Sequence, residues 1–302
     1  MGPIAVVGAS GVIGGRVTEA LAARGHEVVG LARRPGEDPP GVRRIAVDLT
    51  DRAAAARALG GARAVYLTPP ESGDDPLGLE RSVTTNVIDA AREAGVDHLV
   101  MHTAVHADRG DTGARILDNK TPIEVTLAES GVPFTILRPA WFFQNLFGAK
   151  PYLEQGMFSM PWPSDMTWAA TDIADVVRAA VAFLEGDPAN RGYDVHVPGG
   201  ITAADICEAV ANVTGHPVGY QEAPGTREAV DPYPISEAHK ELYAELFDYF
   251  KAIVYLGDPE PITGAVEGFT YGTLEGFVHR ELFPEMNRDG QEREVARATH
   301  SA

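Results

Sequence analysis

Three glycines at three-residue spacing mark the first chemistry in the chain. In MGPIAVVGASGVIGGR (1–16), a β-branched run at Ile4 to Val7 precedes Gly8, Gly11 and Gly14, and an amphipathic segment follows at once. A strand, a glycine turn and a helix N-terminus gather free backbone N–H groups and the positive end of a helix dipole at one spot, which suits a pyrophosphate. Gly8 permits the turn, Gly11 lets the backbone approach the pyrophosphate, and Gly14 lets the helix pack on the strand. Ser10, Val12 and Ile13 complete the expected contacts of this loop. The second strand ends Leu31-Ala32-Arg33-Arg34, with no carboxylate where NAD would need one for its ribose hydroxyls. Two guanidiniums there suit the 2′-phosphate of NADP, which arginine grips in a bidentate fork. Such a charged hydrogen bond is worth about 1.5–3 kcal/mol, or about a 10- to 100-fold preference. The expected cofactor is NADP(H).

Further candidates follow later strands. Thr68 and Pro69 close the fourth strand, at the carboxyl end where open α/β sheets bind ligands. Lys120 sits two residues before Pro122, which a helix tolerates only in its first turn. An ammonium at a helix N-terminus is disfavoured by the dipole, so Lys120 is expected to be a prepared base or proton relay. The loop MHTAVHAD (101–108) holds Thr103, His102, His106 and Asp108. Alternation along the strand end puts Met101 and Thr103 on one face and His102 on the other, leaving His106 as the better acid. No HExxH-type spacing occurs and Cys207 is the only cysteine, so no metal is expected. The absence of a G-x-S-x-G elbow argues against a hydrolase.

Short apolar strands must position these residues, and they alternate with helical segments as far as Leu137. That alternation predicts a parallel sheet with helices on both faces. Strands are expected over 27–31, 43–47, 63–67, 97–101 and 133–137, with helices over 11–24 and 51–59 and one ending at Gly95. Residues 141–168 hold all three tryptophans and read as irregular. Helices are then expected from Ile173, capped by Thr171, from Ala203 with a Thr202/Asp205 capping box, and within 236–255. The 302 residues carry a formal net charge of −18, which argues against a polyanionic partner such as nucleic acid. No apolar run reaches the ~18 residues of a membrane span. A strand starting at residue 3 leaves no room for a signal peptide, and a lone cysteine fits a reducing cytosol, so a cytoplasmic protein is expected.

GASGVIGG (8–15), LARRP (31–35), NVIDAAREAGVDHLVMHTA (86–104), SGVPFTILRPAWFFQN (130–145) and TDIADVV (171–177) together resemble the NmrA-like atypical short-chain dehydrogenases/reductases. The resemblance implies a doubly wound Rossmann fold with a smaller C-terminal α+β substrate domain and a pocket between them. It implies an NADP-binding domain over 1–150, joined by 168–198, a substrate domain over 151–167 and 199–286, and a polar tail over 287–302. Asp48 and Leu49 resemble the family's adenine-flanking pair. Pro139, Ala140, Trp141, Phe142 and Asn145 match its cofactor-flanking LRPxxFxxN segment, where Gln144 replaces an acid many members carry. Lys120 occupies the lysine position of Tyr-x-x-x-Lys, but Ile116 stands where the tyrosine would be. It is therefore expected to touch the nicotinamide ribose, and Thr103 matches the superfamily's catalytic serine or threonine. Phe158 and Trp162, with Trp141, Phe142 and Asn145, are expected to line an apolar substrate pocket, while Phe147 and Trp168 are read as interdomain core. The family includes reductases of quinones, dyes and phenylpropanoid-type aromatics as well as redox-sensing regulators. The expectation is an NADPH-dependent reductase of an aromatic, quinone or enone, possible as a homodimer. The alternatives are a non-catalytic NADP sensor and a non-redox cyclase or isomerase.

Overall fold

The computed structural model describes residues 2–34, 40–70, 72–233 and 235–284. Its centre is a seven-stranded parallel sheet: β1 (Ile4–Val7), β2 (Val28–Ala32), β3 (Val42–Ala46), β4 (Ala64–Leu67), β5 (His98–His102), β6 (Phe134–Pro139) and β10 (Gly192–Val195). The spatial order is β10-β6-β5-β4-β1-β2-β3, so the winding reverses between β1 and β4. A crevice opens outside the strands' carboxyl ends at such a reversal.

Alternation along each strand feeds two apolar layers. Ile4 and Val6 join Val17 and Leu21 of α1 (Val12–Ala23) and Val176 and Ala180 of α7 (Ile173–Glu185). Ala5 and Val7 point the other way, to Leu59 of α2 (Arg52–Leu59), Val87 of α3 (Pro76–Ala94) and Ile123 of α5 (Lys120–Glu129). Burying each such side chain contributes about 1.5–3 kcal/mol. Helix ends follow their sequence signals. Asp51 caps α2 through Ala53 and Ala54 amides, Asp75 caps α3 ahead of Pro76, and Gly95 ends α3 in the left-handed region. The capping box at α8 (Ala203–Thr214) is present in both directions. At α7, however, the cap is Asp172, which accepts from the Ala174 amide at 2.9 Å. Thr171 instead belongs to β9 (Ala170–Thr171), paired with β7 (Trp141–Phe142).

A third apolar cluster lies beyond the sheet's carboxyl edge. It takes residues from α4 (Arg115–Asp118), from α6 (Leu146–Leu153), from β8 (Met157–Met160), which pairs with β11 (Gly219–Glu222), and from α8. Short helices α9 (Thr226–Val230), α11 (Glu260–Ala265) and α12 (Leu274–Phe277) flank the longer α10 (Glu237–Ala252). The stretch 141–168 is therefore more ordered than its prolines suggest, since α6 runs through Pro151. The polar segment 287–302, like residues 35–39, lies outside the described residues. Among the described residues, no helix is long and apolar enough to cross a membrane.

Candidate functional site

The glycine loop is built as its spacing requires. Gly8 has φ +79°, and a Cβ there would lie 2.8 Å from the Thr68 carbonyl oxygen. A Cβ on Gly14 would come within 2.3 Å of the Gly8 carbonyl oxygen. Both positions thus exclude a side chain before any ligand is considered. The Gly11 amide donates to the Gly8 carbonyl at 2.8 Å, turning the chain into α1. No side chain caps α1, its first turn holds no acid, and Ser10, Gly11 and Val12 are exposed. The open amides and dipole of α1 thus fit a pyrophosphate.

Sheet register brings the other strand ends beside this loop. Val7 is level with Leu31 on β2 and Leu67 on β4, so Gly8 adjoins Ala32 and Thr68. Arg33 and Arg34 follow Ala32 and are exposed, and Arg33 Nη2 donates to Ser72 Oγ at 3.0 Å. Asp48 is exposed and accepts from the amide and hydroxyl of Thr50, which hold its carboxyl below the usual range. Leu49 is buried, and its carbonyl accepts from Asn86. These positions leave Arg33 and Arg34 available to a 2′-phosphate.

A cavity of about 390 Å³ opens at the crevice. Ile13, Thr68, Pro69, Thr103, Lys120, Pro139, Ala140, Trp141, Phe142 and Asn145 all line it, so ten of the expected site residues converge on one space. Ile116 lines it too. Four expectations fail. His106 is turned away: its ring nitrogens meet Tyr249 Oη at 3.0 Å and the Leu256 carbonyl at 2.9 Å. With φ +68°, it fastens its loop to the chain around α10, and burial pushes its pKa down. His102 lines the cavity instead, its ring 6.0 Å from that of Phe142, because the chain leaves the strand at that residue and alternation ends there. Phe158 and Trp162 are buried in the third apolar cluster and do not line the cavity. Trp162 packs on Trp168, Phe247 and Phe250, so its bulk supports the wall from behind. Phe147, read as core, is 44% exposed with its ring against Phe277.

The far wall comes from Tyr233, Tyr243, Leu246, Phe247, Phe250 and Tyr255. The periodicity of residues 236–255 reveals a helix but not that its aromatic face closes this space. Phe250 and Tyr255 stack at 3.8 Å, and Tyr255 donates to the Val105 carbonyl at 3.2 Å. Burial raises the Tyr255 and Tyr233 phenols, which therefore stay protonated.

Two buried charge pairs underlie the polar side. Lys120 begins α5 as expected, but its Nζ lies 2.5 Å from Glu80 Oε1, with the two side chains 5% and 2% exposed. Asn119 Nδ2 donates to the other Glu80 oxygen at 2.8 Å and Asn119 Oδ1 accepts from Arg81 at 2.7 Å. The carboxylate is a counter-charge that the helix dipole alone does not include. Thr103 Oγ1 donates to Glu124 Oε1 at 2.6 Å, and Arg138 clasps the same carboxylate. Burial opposes the Arg138 charge, but its Glu124 bonds outweigh that and raise its pKa. Neither glutamate carries a sequence signal. Glu80 is forty residues from Lys120, and Glu124 reads as one more acid on a helix. Gln144 also finds a reason: its amide donates to Asp172 at 2.8 Å, where an acid would add another carboxylate beside Asp172 and Glu281. Among the described residues no cluster of histidine, cysteine and carboxylate could hold a metal ion.

A parallel sheet with this winding, this glycine loop and this crevice defines a Rossmann protein of the nicotinamide-nucleotide-binding type. The NmrA-like family model matches residues 2–277, and the chain belongs to that family. A (4-alkanoyl-5-oxo-2,5-dihydrofuran-3-yl)methyl phosphate reductase of Streptomyces griseus is 32% identical, the match covering 78% of this chain and 84% of the relative. An NAD(P)H azoreductase of Xenophilus azovorans is 30% identical, over 80% of this chain and 86% of its own. The crystal structure of an Escherichia coli NADPH-dependent quinone oxidoreductase complexed with NADPH superposes with a TM-score of 0.78 at 24% identity, covering 92% of this chain and 99% of that one. A Citrobacter triphenylmethane reductase complexed with NADP(H) gives 0.77 at 19% identity, with coverages of 92% and 99%.

Proposed function

We propose that this protein is an NADPH-dependent reductase of an apolar aromatic, quinone or enone-type small molecule. The observation that carries the reading is the cavity itself. It is walled by Trp141, Phe142, Phe247 and Phe250, has Lys120 within it, and opens onto the strand ends beside the glycine loop. Gly8, Gly11 and Gly14 with the open amides of α1 would hold the pyrophosphate, Arg33 and Arg34 the 2′-phosphate, and Thr68, Pro69, Pro139 and Ala140 would flank the nicotinamide half. A bound nicotinamide supplies hydride, so the protein's task is positioning and charge rather than bond chemistry. The aromatic wall excludes water and favours planar acceptors. Lys120, its Nζ held beside Glu80, would give a proton to the oxygen that gains charge. Residues 151–167 and 199–286 would act as the substrate lobe. That relatives over most of this length are named as reductases of a butenolide phosphate and of azo compounds supports the redox reading.

The test is purified protein with NADPH and a panel of quinones, enones and azo compounds, followed by loss of NADPH absorbance. Tight NADP binding with no oxidation by any acceptor favours a sensor instead. Lys120→Ala with unchanged kcat and a raised cofactor Kd reduces Lys120 to a ribose ligand.

A further inference from the structure

Thr103 lines the cavity, and its hydroxyl has a defined direction. Its Oγ1 lies 2.6 Å from Glu124 Oε1, with Thr103 4% and Glu124 6% exposed. Arg138 holds that carboxylate with Nε at 3.0 and 3.2 Å from its two oxygens and Nη2 at 2.6 Å. Asp108 at 2.7 Å and Asp194 at 3.9 Å balance the guanidinium from its far side. A carboxylate clasped by arginine has no proton to give, and it accepts only. The single hydrogen of Thr103 is therefore committed to Glu124, and only lone pairs remain for the cavity.

We infer that Thr103 acts toward bound molecules as a hydrogen-bond acceptor, with Glu124 and Arg138 as the positioning residues that fix this polarity. It takes an N–H or O–H donor, either the carboxamide of the nicotinamide or a hydroxyl on the substrate. This rests on reading the cavity as an NADP(H) reductase site. A threonine free to rotate would serve donors and acceptors alike, and Glu124 removes that choice. The oxygen that gains negative charge during reduction is repelled by Thr103 and must lie toward Lys120. A carbonyl acceptor is thereby oriented by exclusion at one end and by a cation at the other.

Two arms on the full-length protein separate the donors. In the first, Kd is measured for NADPH and for its acetylpyridine analogue, which has a methyl ketone in place of the carboxamide. In the second, KM is measured for a hydroxylated quinone and for its O-methyl ether. In one arm, wild type and Thr103→Ser discriminate about three- to tenfold in favour of the donor-bearing molecule, and Thr103→Val loses that preference. Glu124→Gln, whose amide can donate to Thr103, weakens it too. Equal behaviour of wild type and Thr103→Val in both arms overturns the inference. Neutron diffraction on ligand-free crystals decides the hydroxyl independently of any cofactor. Deuterium between Thr103 Oγ1 and Glu124 Oε1 is expected, and deuterium facing the cavity overturns the inference. Failure of wild type to bind NADPH, with deuterium on the Glu124 side, would instead bring down the cofactor reading alone.

Discussion

Replacing Glu80 by leucine isolates the buried charge pair under the site. Glu80→Leu nearly preserves volume but removes the carboxylate oxygen 2.5 Å from Lys120 Nζ, in an interior where the two side chains are 5% and 2% exposed. Removing one member of a buried pair costs about 3–5 kcal/mol. At about 2–4 °C per kcal/mol for a chain of this size, Tm falls by roughly 6–20 °C. Lys120→Met strands Glu80 instead, but Asn119 still donates to its other oxygen at 2.8 Å, so the loss lies toward the lower end. The double variant removes both charges, and most of the stability returns because apolar replacement of a buried pair is commonly neutral. Denaturant unfolding of the four proteins as a double-mutant cycle measures the coupling directly. The reasoning fails if Glu80→Leu stays within about 1 kcal/mol of wild type, the value of an exposed pair. It fails equally if the two single losses simply add.

Gly14→Ala places a Cβ 2.3 Å from the Gly8 carbonyl oxygen, so NADPH affinity falls by at least about tenfold, and isothermal titration gives the value. Arg33→Ala with Arg34→Ala raises the Kd of NADPH about 10- to 100-fold while leaving NADH unchanged; equal losses for both nucleotides would show that these arginines do not read the 2′-phosphate. Asp175 is buried at α7, and that burial pushes its pKa up to about 6 from an ordinary 3.8. Because its folded pKa is raised, its contribution is fully present below about pH 4 and lost as pH rises through 6, a difference of about 3 kcal/mol. Asp175→Asn should therefore flatten the stability profile between those values, and an identical slope in the variant would assign the titration elsewhere.

Features encoded within a few residues were legible in the sequence. The glycine loop, the strand ends at Thr68 and Pro139, the start of α5 at Lys120 and the Thr202/Asp205 box depend on local sterics and capping. Residues that meet only through tertiary packing were not legible. The aromatic face of α10 carries the same periodicity whether it closes a cavity or fills a core. Trp162 has the composition of a pocket residue, yet Trp168, Phe247 and Phe250 bury it on all sides. Glu80 and Glu124 look like solvated helix acids until the fold sets them against Lys120 and Arg138. His106 shows the converse error, where a chemically able side chain is consumed by two structural hydrogen bonds.

The central claim is that this crevice transfers hydride from NADPH to an acceptor seated against Lys120 and the aromatic wall. Single-turnover reaction of protein-bound NADPH with a quinone and enone panel tests it most directly. The account predicts acceptor-dependent NADPH oxidation that slows sharply in Lys120→Met without an equal loss of NADPH affinity. Tight NADPH binding with no oxidation by any acceptor would contradict it.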